Sequence, residues 1–125
     1  MGKPGHNGIR RVILATQFSA QGLAYAWKKE SAFRQEVSLS LVMTPAAFWL
    51  GRTAVEILVL ILPLALVLIV ELLNSAIEAT VDRISDKQHE LAGSAKDMGS
   101  AAVFISLLVV AAVWATVAWQ RFGLP

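Results

Sequence analysis

The sequence predicts an all-α integral membrane protein. A surface helix at residues 9–29 precedes three membrane-crossing helices at 34–50, 55–83 and 98–119, all in one membrane domain spanning 1–125. Three observations predict it. Apolar residues make up 56% of the 125-residue chain and gather in continuous runs, whereas a soluble core of this size draws on apolar residues spread at helical or strand spacing. The charged residues are segregated between those runs, as expected where hydrocarbon is the solvent. Finally, single acidic residues stand at the ends of the runs, where a membrane helix meets the headgroups.

Composition also excludes several classes. There are no cysteines, so disulfide frameworks and thiolate zinc sites are ruled out. A net charge of +2 supplies no basic patch for nucleic acid. The stretch from Met1 through Arg10 and Arg11 lacks the continuous apolar core and the small-residue cleavage site of a secretory signal peptide.

In the first element, Ile9, Val12, Ile13, Ala20, Leu23 and Trp27 recur at helical spacing on one side. Arg10, Gln17, Gln21 and Lys28 fall on another. Such a helix is too polar to span and is expected to lie in the membrane surface, with Tyr25 and Trp27 at headgroup depth. The first crossing is apolar from Val37 to Leu50 apart from Ser38, Ser40 and Thr44. It reaches bilayer length by running back through Phe33 and Ala32, with Arg34 snorkelling. Gly51-Arg52-Thr53 is expected to turn tightly.

The second crossing is apolar without interruption from Ile57 to Val70 and contains Pro63, which a membrane helix tolerates when neighbours satisfy the freed carbonyl. Residues 84–97 read as a charged loop, and the third crossing follows without a charge, with Trp114 and Trp119 towards its far interface. Lys and Arg concentrate before Arg34 and at Arg83, Lys87 and Lys96, against only Arg52 and Arg121 on the other side. The N-terminus and the 84–97 loop are therefore expected to face the cytoplasm.

The chemistry concentrates where the second crossing ends. Glu71, Asn74, Glu78 and Asp82 are spaced i, i+3, i+7 and i+11 and share one helix face, with Ser75 beside them. A solvated helix end accounts for Asp82 and Glu78. It accounts poorly for Glu71, because Leu72, Leu73, Ala76 and Ile77 continue the apolar surface beyond it. An intramembrane carboxylate marks a functional candidate. At headgroup depth it meets lipid hydroxyls and could accept a proton from one. A second carboxylate about 10 Å further along, Glu78, could share a magnesium ion with phosphates. Glu30 could complete such a site or be an exposed helix-end acid beside Lys28 and Lys29, and Glu36 could be a buried hydrogen-bonding group or an anchor. Lys96 could neutralise phosphate or be an interfacial lysine. No Gly-rich phosphate loop and no protein-kinase catalytic loop is present, so any use of ATP needs an unconventional site.

Three blocks carry a family resemblance. They are Glu30-Ser31-Ala32-Phe33-Arg34-Gln35-Glu36; Glu71-Leu72-Leu73-Asn74-Ser75-Ala76-Ile77-Glu78 followed by Asp82; and His89-Glu90-Leu91 with Ala95-Lys96-Asp97-Met98-Gly99-Ser100. In order and spacing they resemble the bacterial integral-membrane diacylglycerol kinases. The resemblance implies a homotrimer in the bacterial cytoplasmic (inner) membrane with active sites at subunit boundaries. It implies transfer of the γ-phosphate of ATP to the primary hydroxyl of diacylglycerol, giving phosphatidic acid, with magnesium as cofactor. Carried over, Glu71 is the catalytic base, and Glu30 and Glu78 are the metal ligands. Arg11, Phe18, Lys87, Gln88, His89, Lys96 and Asp97 border ATP with those ligands. Arg11, Ser19, Trp27, Ala32, Phe33, Arg34, Gln35, Glu36, Ser100 and Trp114 border the lipid with Glu71, and Asn74 and Gly99 support the site. Two positions depart from the pattern: Phe18 stands where relatives often carry Tyr, and Ser94 where a basic residue is frequent.

The alternative within the same fold is an undecaprenol kinase, separable by comparing the two lipid acceptors in one assay. From other classes, a small transporter with Glu71 and Glu78 lining an ion path would show no lipid-dependent ATP consumption. A non-enzymatic scaffold would leave the clustered acids without a purpose.

Overall fold

The computed structural model describes residues 7–84 and 90–123. Four helices follow in order among them: α1 Gly8–Lys29, α2 Ser31–Leu50, α3 Ala54–Ile84 and α4 Glu90–Phe122. Asn7 caps α1, its side chain accepting from the Arg10 amide at 2.8 Å, which satisfies one of the amides a helix start leaves free. Only Glu30, in extended backbone, separates α1 from α2. Its amide still bonds back to the Ala26 carbonyl at 2.9 Å. Arg34 Nη1 reaches across the break to the Trp27 and Lys28 carbonyls at 2.7 and 3.2 Å. The last carbonyls of α1 are thereby satisfied by a side chain of α2.

Gly51 closes α2, and the approach of α3 is tight there: a Cβ on Gly51 would lie 2.7 Å from Ile57 Cγ1 and 2.9 Å from the Ile57 amide. Thr53 and Glu56 then start α3. Thr53 Oγ1 accepts from the Glu56 amide at 3.1 Å, and Glu56 Oε1 accepts from the Arg52 amide at 3.0 Å, an arrangement close to a capping box.

α4 packs mainly along α3, and α2 packs on α3 with a smaller contact to α4. The apolar core is local: Ala47, Leu50, Leu60 and Val117 at the α2–α3 turn, with Val113 and Trp114 against it. Most other apolar side chains face outward, including Leu58, Leu62, Ile69, Phe104, Ile105 and Leu108. Among the described residues, α3 and α4 are long and apolar enough to cross a membrane. α2 falls short of that measure; its twenty residues carry Arg34, Gln35 and Glu36 in the first turns. One boundary differs from expectation. The charged stretch 84–97 was expected to be a loop, but Glu90–Asp97 forms the first two turns of α4. Leu91, Ala92 and Ala95 give this stretch an apolar component that supports helix, and the helix carries Gly93 at the usual cost of about 1 kcal/mol relative to alanine.

Candidate functional site

Glu71 sits on α3 directly after the apolar run, and its side chain is only 4% exposed. Three groups surround it. One turn later on the same helix, Ser75 Oγ lies 3.3 Å from Glu71 Oε2. The same Oγ lies 3.2 Å from Glu30 Oε1, across the α1–α2 break. From α2, the Glu36 carboxyl faces Glu71, and Glu36 Oε1 is buried without a hydrogen-bond partner. The site is thus built from α3, from the non-helical residue joining α1 to α2, and from the first turns of α2.

Further along the α3 face, Glu78 lies in the field of Glu30 and Glu71 on one side and of Lys96 and Asp82 on the other. Lys96, on the first turns of α4, makes an ion pair of 2.5 Å with Asp82. That hydrogen bond, and then the Asp82 charge itself, raise the affinity of the Lys96 ammonium for its proton. Asn74 and Gly99 meet where α3 and α4 cross: Gly99 is buried, and Asn74 Oδ1 is buried without a partner beside it.

Between α1 and α3 runs a cleft of about 680 Å³, mostly apolar, with Glu30 and Ser75 among its polar lining and Ser19, Gly22, Ala76 and Ala79 along its walls. The small side chains of its walls leave the gap between the two helices unfilled. This size suits a small-molecule site.

Glu30, Glu36, Glu71, Glu78 and Lys96 therefore gather in one region, with Asn74 between Glu71 and Glu78 on α3 and Gly99 against Asn74 from α4. Phe33 is buried, and Arg34 is committed to the α1 carbonyls. Gln35, Asp97 and Ser100 are exposed, as are Arg11, Phe18 and Trp27 on α1. Ala32 is half-buried, and Ser19 opens onto the cleft. Lys87, Gln88 and His89 lie outside the described residues. Trp114 is not brought to the carboxylates. Its Nε1 donates to the Leu60 carbonyl at 3.0 Å in the core cluster, about 16 Å along α3 from Glu71. Ser19 was expected at the lipid and Ser75 was noted beside the stripe without a role, whereas the cleft residues Gly22, Ala76 and Ala79 were not singled out from the sequence. The small residues at i and i+3 in Ala76 and Ala79 were the available signal.

Among the described residues, no group of three or more His, Asp or Glu side chains could hold a metal. Glu30 and Glu78 offer hard oxygen donors from two elements instead. That donor set fits magnesium, which is commonly held by one or two carboxylates and completed by the oxygens of a bound phosphate ligand.

A fold of α-helices, two of them long and apolar enough to cross a membrane, with an acidic cluster where the apolar run of one of them ends, fits the class of α-helical membrane proteins. The family model described as prokaryotic diacylglycerol kinase matches residues 17–118. A diacylglycerol kinase of Haemophilus influenzae is 50% identical over 107 residues, covering 86% of this chain and 91% of that protein. One from Escherichia coli strain K12 is 49% identical over 116 residues, covering 93% and 95%. One from Pseudomonas aeruginosa is 50% identical over 113 residues, covering 90% and 92%. This chain belongs to the prokaryotic diacylglycerol kinase family.

Proposed function

We propose that this chain is a lipid kinase of the bacterial inner membrane that transfers the γ-phosphoryl group of ATP to the primary hydroxyl of diacylglycerol, giving phosphatidic acid. The observation that carries the reading is Glu71: a carboxylate 4% exposed at the end of an apolar helical run, tied through Ser75 to a second carboxylate from another element. Diacylglycerol keeps its hydroxyl at the interface and its tails in hydrocarbon, so its acceptor group and Glu71 share one depth. Family membership and relatives near 50% identity over most of the chain support the same substrate.

Phosphoryl transfer depends mainly on positioning and on neutralising charge. Glu71 accepts the proton of the lipid hydroxyl as the oxygen attacks. Glu30 and Glu78 would hold magnesium, which would supply charge neutralisation on the phosphates. Lys96 adds a point charge, with Arg11, Phe18, Lys87, Gln88, His89 and Asp97 bordering the nucleotide. The lipid lies against Ser19, Trp27, Ala32, Phe33, Arg34, Gln35, Glu36 and Ser100, with its tails reaching towards Trp114. Asn74 and Gly99 support the α3–α4 crossing beside the site.

In the membrane, segments 34–50, 55–83 and 98–119 cross and α1 lies at the cytoplasmic surface, with the N-terminus and the segment 84–97 in the cytoplasm. The outward-facing apolar side chains of α1, among them Ile9, Val12 and Leu23, support this placement. Three copies assemble with sites at the subunit boundaries. The many uncovered apolar side chains of α2, α3 and α4 offer surface both to lipid and to neighbouring copies.

The test is a radiolabelled ATP assay with purified protein in mixed micelles. Labelled phosphatidic acid that requires both diacylglycerol and magnesium is expected. ATP turnover that ignores added lipid would overturn the reading.

A further inference from the structure

We propose that Ser75 is a positioning residue for the reaction: its hydroxyl holds the Glu71 carboxylate by one oxygen, so that the other faces the lipid hydroxyl. The inference deepens the lipid-kinase reading and rests on it.

A Ser or Thr inside a helix commonly bonds back to the carbonyl one turn earlier, which quiets the side chain at little cost. Thr16, Ser38, Thr44, Thr80 and Thr116 all do this, at 2.7 to 2.8 Å from the carbonyl four residues before. Ser75 does not follow them. Its Oγ is turned to two carboxylates, 3.3 Å from Glu71 Oε2 and 3.2 Å from Glu30 Oε1.

A hydroxyl has one proton to donate. Ser75 therefore bonds one of the two carboxylates at a time and links their orientations. Glu71 is buried, with the Ser75 hydroxyl on its Oε2 and the Glu36 carboxyl facing it from α2. With Oε2 held by that bond, Oε1 is the oxygen assigned to the lipid hydroxyl. The contact to Glu30 reaches the single residue that breaks α1 from α2. The orientation of Glu71 is thereby referred to the α1–α2 junction as well as to its own helix. Ser75 also lines the α1–α3 cleft, so an added methyl group has space to enter.

The test compares Ser75→Ala and Ser75→Thr with the unsubstituted protein in the full-length, micelle-reconstituted state, following kcat, both KM values and thermal unfolding. Loss of one hydrogen bond to a charged group predicts that Ser75→Ala lowers kcat about tenfold. The KM values for ATP and diacylglycerol stay within about twofold, because binding is not what the hydroxyl serves. Ser75→Thr keeps the hydroxyl and is expected to restore kcat to within about threefold. In a Glu71→Gln background, Ser75→Ala is expected to cost nothing further, since a residue acting only through Glu71 has nothing left to position.

Four results would each overturn the inference: wild-type kcat in Ser75→Ala, failure of Ser75→Thr to recover activity while its unfolding temperature matches wild type, an additive loss in the double variant, or a fall in unfolding temperature that accounts for the activity lost in Ser75→Ala. An unsubstituted protein without lipid-dependent phosphoryl transfer would instead sink the kinase reading itself. An active one with Ser75→Ala unchanged would sink only this proposal.

Discussion

Asn74 of α3 and Gly99 of α4 are in such close register that a Cβ on Gly99 would overlap Asn74 Oδ1, an oxygen that is buried and has no hydrogen-bond partner. The α3–α4 crossing therefore depends on the absence of one side chain, and it holds the acidic face of α3 beside the start of α4.

Gly99→Ala is expected to push the two helices apart or rotate Asn74 out of place. Overpacking of this kind costs about 1–3 kcal/mol. Lower thermal stability in micelles, with activity falling alongside it, is the expected result. A variant as stable and active as wild type would show that the crossing yields without cost.

Glu71→Gln keeps the size of the side chain, and its amide oxygen can still accept from Ser75. The protein is expected to fold and assemble normally while losing about 10²–10⁴-fold in turnover, the range for a lost general base. Near-normal turnover in lipid micelles would remove Glu71 from that role.

Glu78→Gln removes one of the two hard-oxygen donors placed for magnesium. Its activity is expected to require severalfold more magnesium for half-maximal rate. A magnesium titration that overlays the wild-type curve would show that Glu78 is not a ligand.

The Asp82–Lys96 pair predicts a pH dependence of stability. Asp82 raises the proton affinity of Lys96 above its ordinary value of 10.5, so the folded state favours the charged ammonium more than the unfolded chain does. That stabilisation is fully present below the unfolded value and is lost as pH rises through the higher folded one. Asp82→Asn should narrow the difference in unfolding temperature between neutral pH and pH values above 10.5. Both side chains are substantially exposed, so the difference should also shrink in high salt. A wild-type and variant pair with parallel pH profiles would contradict this.

Trp114→Phe deletes the donor to the Leu60 carbonyl while keeping the ring among Ala47, Leu50 and Val117. A loss of about 1 kcal/mol in stability is expected. Because Trp114 is remote from Glu71, kcat should move little in protein that remains folded.

The helical class, the extent of α1 and the long apolar run of α3 were legible in the sequence because each is a local property. Periodicity and continuous apolar runs are written residue by residue, and nothing distant in the chain competes with them. The acidic stripe of Glu71, Glu78 and Asp82 was legible for the same reason, since one helix face is set by spacing alone. The start of α4 was not: charge between 84 and 97 suggested a loop, while Glu90–Asp97 is helical.

What only the tertiary structure decided is what meets that stripe. Glu30 and Glu36 come to Glu71 because the chain breaks at one residue and α2 folds back along α3. The same packing sends Trp114 to Leu60 instead, turns Ser75 away from its own backbone and makes Gly99 a contact point. Such contacts join residues tens of positions apart. Their geometry follows from how whole helices pack against one another, and no local pattern of residues encodes it.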